Sequence, residues 1–156
     1  MADEKDFQLA TATAFTAVLV LNALWFGVAF RYFCLTPNTA ARLLVPQSAR
    51  GSPLFATLAA SVRFLGGMNL AFAAFAVLLL LNSTLFPEPS QRALFAAVFS
   101  LAHASQFASN LPVAIRGGRV GESFWPVLSG PMLFIFLVDI TLMIANGALA
   151  AVLLAA

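Results

Sequence analysis

Groups that could carry chemistry are scarce in this chain. Cys34 is the only cysteine, which rules out an internal disulfide, a Cys-x-x-Cys redox pair and a cysteine-rich zinc site. His103 is the only histidine, so neither a histidine-paired metal site nor a haem held from both faces can be built. Lys5 is the only lysine, and the glycine-rich run Gly117-Gly118-Arg119-Val120-Gly121 therefore lacks the lysine of a phosphate-binding loop. Charged residues make up 9% of the chain, too few to coat a soluble globule. The formal charge of +2 is not laid out as basic residues alternating with aromatics, which argues against a nucleic-acid surface. No cofactor or metal is expected.

Apolar residues are abundant, at 62% of the 156 positions against the roughly 45–50% of soluble domains. They gather into four long stretches, at about 12–33, 54–81, 91–115 and 131–154, with most charges outside them. A helix rising ~1.5 Å per residue needs about 20 residues to cross a hydrocarbon layer of ~30 Å, and each stretch meets that length. The expectation is all-α: a single-domain integral membrane four-helix bundle with short loops. Between the first and second stretches, Thr36-Pro37-Asn38 breaks the helix, and the segment from Thr39 to Val45 reads as a short amphipathic helix at the headgroup level. Ser52-Pro53 has the form of a helix start. Pro87-Glu88-Pro89 marks a turn, and Gly130-Pro131 opens the last stretch. The third stretch is the least apolar, because His103, Ser105, Gln106, Ser109 and Asn110 interrupt its second half.

The acidic start, with Asp3, Glu4 and Asp6 around Lys5, is unlike the basic opening of a cleavable signal, so the first stretch reads as a retained helix. Arg31, Arg42, Arg50, Arg116 and Arg119 lie in or beside loops one and three, whereas the other side holds Lys5 and Arg92. Positive residues are retained on the cytoplasmic side or its equivalent, which puts loops one and three there and both termini opposite. Trp125, just past loop three, suits an interfacial position.

Ionisable groups at membrane depth cost at least ~2.5–3.5 kcal/mol each on insertion scales and need compensation. Arg63 and Asp139 are the two deep ones, entering from the same side at depths that agree within about a turn, so a contact between them is expected. It would dock the second and fourth helices or hold an anionic or proton-carrying ligand. His103 falls near mid-depth, with Gln106 and Asn110 on the same face at i+3 and i+7. Asn22, Asn69 and Asn146 also lie near mid-depth, and Asn146 shares the Asp139 face. These residues define a polar seam inside the bundle. Interhelical hydrogen bonding, worth ~0.6 kcal/mol per contact on average, explains such a seam. So does a small cavity in which His103, Asp139 and Arg63 move a proton and Asn69, Gln106, Asn110 and Asn146 hold a ligand. Gly66-Gly67 removes bulk where a helix or ligand approaches. The sixteen phenylalanines show no spacing that marks an aromatic ligand box.

The stretch Arg63-Phe64-Leu65-Gly66-Gly67-Met68-Asn69-Leu70-Ala71-Phe72 resembles the Arg-x-x-Gly-Gly segment opening the second helix of DoxX-like small four-helix membrane proteins. The layout before it, a span, a proline and a short amphipathic stretch, is similar too. The likeness covers the first half of the chain and carries over no catalytic residue. It implies an accessory membrane subunit of the kind that partners redox enzymes.

Two functions follow. One is a non-catalytic accessory subunit that packs against partner transmembrane helices, or against its own copies, as in a respiratory or other energy-transducing complex. The other is a membrane enzyme or carrier for a small hydrophobic molecule such as a quinone, sterol or isoprenoid. A channel is the weaker third option, since one polar seam per chain lines a pore only in an oligomer. A ligand-sized cavity would favour the second function and a sealed seam the first.

Overall fold

The computed structural model describes residues 2–121 and 123–156, and it is all-α apart from one two-residue hairpin. Helix α1 covers Ala2–Phe30 and runs on through a π-helical turn, Arg31–Leu35, so it begins about ten residues before the apolar stretch does. Thr36 leaves helical geometry because it precedes proline, and Pro37 opens α2, Pro37–Leu44. This short helix buries Pro37, Ala40 and Ala41 against the body and keeps Arg42 outside, as its amphipathic pattern leads one to expect. Helix α3, Leu54–Leu81, starts where the Ser52 hydroxyl accepts the Leu54 N–H at 3.3 Å. Helix α4, Pro89–Ile115, is followed by the antiparallel strands β1, Arg119–Val120, and β2, Ser123–Phe124. Glu122, between them, lies outside the described residues. Helix α5, Gly130–Leu154, completes the chain.

Three helices are long and apolar enough to cross a membrane: Glu4–Leu35 at 32 residues, Leu54–Leu81 at 28 and Gly130–Leu154 at 25. That is compatible with a multi-pass integral membrane protein. α4 is not among them although it has 27 residues, because the polar groups of its second half dilute its apolar character. The expected four apolar spans are thus three, plus one long helix of mixed character. Large apolar side chains face outward along the helices, Phe64 at 80% exposure and Leu101 at 70% among them. Exposed hydroxyls are bonded to their own helix: Thr13 Oγ1 donates to Leu9 O at 2.8 Å, Ser61 Oγ to Thr57 O at 2.8 Å and Thr141 Oγ1 to Leu137 O at 2.7 Å. A surface in hydrocarbon requires this, since no water is there to satisfy them.

The long helices alternate in direction. α1 packs along α3 and also meets α5, and α4 packs along α5, giving the ring order α3, α1, α5, α4. Gly66 makes the α1–α3 approach possible, since a Cβ there would lie 2.6 Å from both the Cβ and the backbone nitrogen of Cys34. Gly67 has open space around it, so only the first of the two glycines is needed for packing. α4 and α5 approach less tightly at Ser100, whose hydroxyl donates to Met143 O at 2.9 Å and would lie 3.1 Å from a Cβ on Gly147.

The ring closes unevenly between α3 and α4. In the half nearer their connecting turn, Phe75 packs on Phe95 and Phe99, with ring centroids 5.7 and 5.6 Å apart, and Ala73, Ala76 and Leu79 join Ala93 and Ala96 in one core. In the other half, the one bearing α2 and the hairpin, the two helices stand apart and leave a cleft.

Candidate functional site

Two polar regions lie side by side, and they differ in how completely they are bonded. The first is buried between α1, α4 and α5. Asn22 and Trp25 sit three residues apart on one face of α1, His103 faces them from α4, and Asp139 and Asn146 face them from α5. Asn22, His103, Asp139 and Asn146 have no solvent exposure.

The bonding order in this network determines where its protons are. Asn146 Nδ2 donates to Leu142 O at 2.7 Å, which leaves Asn146 Oδ1 to accept Asn22 Nδ2 at 3.0 Å. Asn22 Nδ2 also donates to Val18 O at 2.8 Å. With its amide nitrogen committed, Asn22 turns Oδ1 toward His103 Nε2 at 2.9 Å, so that ring nitrogen carries a hydrogen and donates it. His103 Nδ1 lies 3.0 Å from Asp139 Oδ1. Trp25 Nε1 donates to the same Asp139 oxygen at 3.2 Å, while Asp139 Oδ2 is buried without a hydrogen-bond partner.

Arg63 does not join this network, contrary to the expected Arg63–Asp139 contact. Asp139 pairs with His103, and Arg63 is exposed on the outer side of α3. Arg63 lies on the face of α3 turned away from the bundle interior, and α3 does not pack along α5, so equal depth brings no contact. Arg63 lies about 13 Å along α3 from Leu54. Helical side chains lean toward the N-terminus, here the arginine-rich end, so the guanidinium can reach headgroup level along the outside of the helix.

The second region is the cleft, about 750 Å³ in volume, between the splayed halves of α3 and α4. Leu65, Met68, Asn69 and Phe72 line one wall, and α4 residues from Val98 to Val113 line the other. Leu43 and Leu44 of α2 and Val120 and Trp125 of the hairpin region close the end. A smaller pocket of about 230 Å³, against Trp25 and Phe134, shares Gln106 and Ile135 with it. Gly117 and Gly118, with φ of +65° and +85°, turn the chain at the cleft's end wall, and a Cβ on Gly118 would lie 2.7 Å from the Trp125 carbonyl oxygen.

The polar face of α4 is therefore divided between the two regions. His103 belongs to the closed network, whereas Gln106 and Asn110 line the cleft with Asn69. Phe26 separates the regions, since its ring lines the cleft and stacks on His103 at a centroid distance of 4.8 Å. Asn146 falls in the closed network and away from the cleft. Trp25 had no place in the sequence reading, where its i+3 spacing from Asn22 was the available signal, and Trp125, expected only at the interface, lines the cleft. Among the described residues no group of histidine, cysteine and acidic side chains is placed to hold a metal.

No family model matches the chain, and neither a curated protein nor a solved structure matches it.

Proposed function

We propose that the protein is a four-span membrane protein that binds a small hydrophobic molecule in the cleft between α3 and α4. The observation that carries this reading is the cleft itself, whose volume lies in the range of ligand pockets and whose walls are apolar with a few polar groups. The His103–Asp139 network beside it is held by direct hydrogen bonds, with Asp139 Oδ2 its one buried polar atom lacking a partner among the described residues, and it supports positioning of the helices rather than turnover. The reading is of a carrier or receptor-like site, with no catalytic step assigned.

The fourth span in this reading is α4. Its polar groups are either turned inward or bonded within the helix, as with Ser105 Oγ to Ala102 O and Ser109 Oγ to Ser105 O, both at 2.8 Å. Leu94, Leu101 and Ile115 present an apolar exterior. Loops one and three then share the positive-inside face, with both termini opposite. Single cysteines introduced at Leu85, Arg119 and Ala155 in a Cys34→Ser background test it with an impermeant maleimide. Positions 85 and 155 should react from one side and 119 from the other; reaction of 85 and 119 from the same side would remove α4 from the bilayer.

Binding is tested with tritiated dodecan-1-ol on protein in nanodiscs, corrected for empty nanodiscs. Wild type should retain the probe in excess of lipid partitioning, and Ala102→Phe, which fills the cleft from α4, should not. Equal retention by the two proteins would refute the cleft as a binding site.

A second reading, a non-catalytic accessory subunit, is supported by Arg63, which is exposed on the outer side of α3 with no ion pair among the described residues. An acidic residue on a partner helix would satisfy it, and the DoxX-like resemblance implies such a partner. Extraction in mild detergent separates the readings, because an accessory subunit should migrate with its partners and lose them in Arg63→Leu.

A further inference from the structure

We infer that the molecule held in the cleft carries a neutral head with both a hydrogen-bond donor and an acceptor, of which a hydroxyl on a hydrophobic body is the simplest form. This rests on the cleft-binding reading above and adds the chemistry of the ligand to it.

Charge is the first consideration. No charged side chain among the described residues lines the cleft. An anionic or cationic head drawn into it would shed water without gaining a counter-charge, which is heavily unfavourable. The head is therefore neutral.

Hydrogen bonding is the second. Asn69 Nδ2 donates one N–H to Leu65 O at 2.7 Å and Asn110 Nδ2 one to Gln106 O at 3.0 Å, so each asparagine keeps its Oδ1 and a second amide N–H for the cleft. Neither oxygen receives a donor among the described residues, and both require one. The indole N–H of Trp125, a lining residue, is buried with no hydrogen-bond partner among the described residues. The Gln106 amide makes no side-chain hydrogen bond among the described residues and can offer either. An alkane satisfies none of these groups, and an ether or ester satisfies the donors alone. A hydroxyl donates to an asparagine oxygen and accepts from an N–H, matching both.

Competition against tritiated dodecan-1-ol on the nanodisc-embedded protein tests the inference. The competitors share one chain length: dodecan-1-ol, 1-methoxydodecane, dodecanoate at pH 8 and dodecyltrimethylammonium. Dodecan-1-ol should compete about tenfold better than the methyl ether, the loss expected for a missing hydrogen bond beside an unpaired buried acceptor. Both ions should compete more weakly still. The double variant Asn69→Leu/Asn110→Leu should bring alcohol and ether within about twofold of each other while the ether binds as before. Equal competition by all four heads, or a preference for either ion, would overturn the neutral hydroxyl while leaving the cleft site standing, provided Ala102→Phe still abolishes retention. Retention that Ala102→Phe leaves unchanged would instead remove the cleft reading, and this inference with it.

Discussion

Four asparagines in this protein begin with the same local bond and end differently. Asn22, Asn69, Asn110 and Asn146 each donate their amide nitrogen to the carbonyl four residues earlier, at 2.8, 2.7, 3.0 and 2.7 Å. In the buried network, the remaining oxygens of Asn22 and Asn146 accept from another helix. In the cleft, those of Asn69 and Asn110 face open volume. The helix thus satisfies half of each amide locally, and packing decides whether the other half becomes structure or a binding surface. Residue type and local bond are the same in both regions; which neighbour stands opposite is not.

The largest test of this contrast is at the closed end. Asp139→Ala leaves the His103 ring and the Trp25 N–H without their acceptor in a dry interior, and should cost about 3–5 kcal/mol of stability. Unfolding monitored in detergent would measure it. A loss under about 1 kcal/mol would mean that water reaches the pair and the network is not closed.

Next comes the glycine that brings α3 against α1. Gly66→Ala places a Cβ within 2.6 Å of Cys34 and should destabilise by about 1–3 kcal/mol, whereas Gly67→Ala, with open space, should be neutral or gain up to about 1 kcal/mol from helix propensity. Equal effects would show that α1 and α3 are not in close contact there.

The asparagines themselves sharpen the comparison. Asn146→Leu should cost about 1–2 kcal/mol, because Asn22 loses its acceptor, while Asn69→Leu should stay within about 0.5 kcal/mol. If both cost the same, Asn69 has a protein partner and the cleft is smaller than drawn. The smallest effect is expected at the exposed cation: Arg63→Leu should change stability by less than about 0.5 kcal/mol, far from the Asp139→Ala value. Matching losses would restore the Arg63–Asp139 pair that the sequence suggested.

Much of the fold was legible beforehand, because long apolar runs, Ser52-Pro53 and the prolines around residue 88 act locally. Helix limits came within a few residues for α3, α4 and α5. The site was harder to read. Depth along a helix follows from counting residues, but the direction a side chain faces around the bundle depends on which helices are neighbours, and the ring order is a property of packing. Arg63 and Asp139 were matched on depth alone and turned out to lie on diagonal helices. His103, Gln106 and Asn110 do share a face, yet that face is broad enough to straddle two interfaces, so one face serves two regions. Trp25 carried no sequence reading, and only its position three residues from Asn22 hinted at a polar role.

The cleft's position has a consequence for how its contents exchange. Met68 and Leu101 line it and are also exposed on the outer faces of α3 and α4, so the opening lies on the flank of the bundle. A hydrophobic molecule would arrive by lateral diffusion within the lipid leaflet, never leaving the oily phase. Occupancy is then set by the molecule's mole fraction among lipids and by its competition with acyl chains for the same groove. Its concentration in water matters only through partitioning, so a site of weak intrinsic affinity can stay filled.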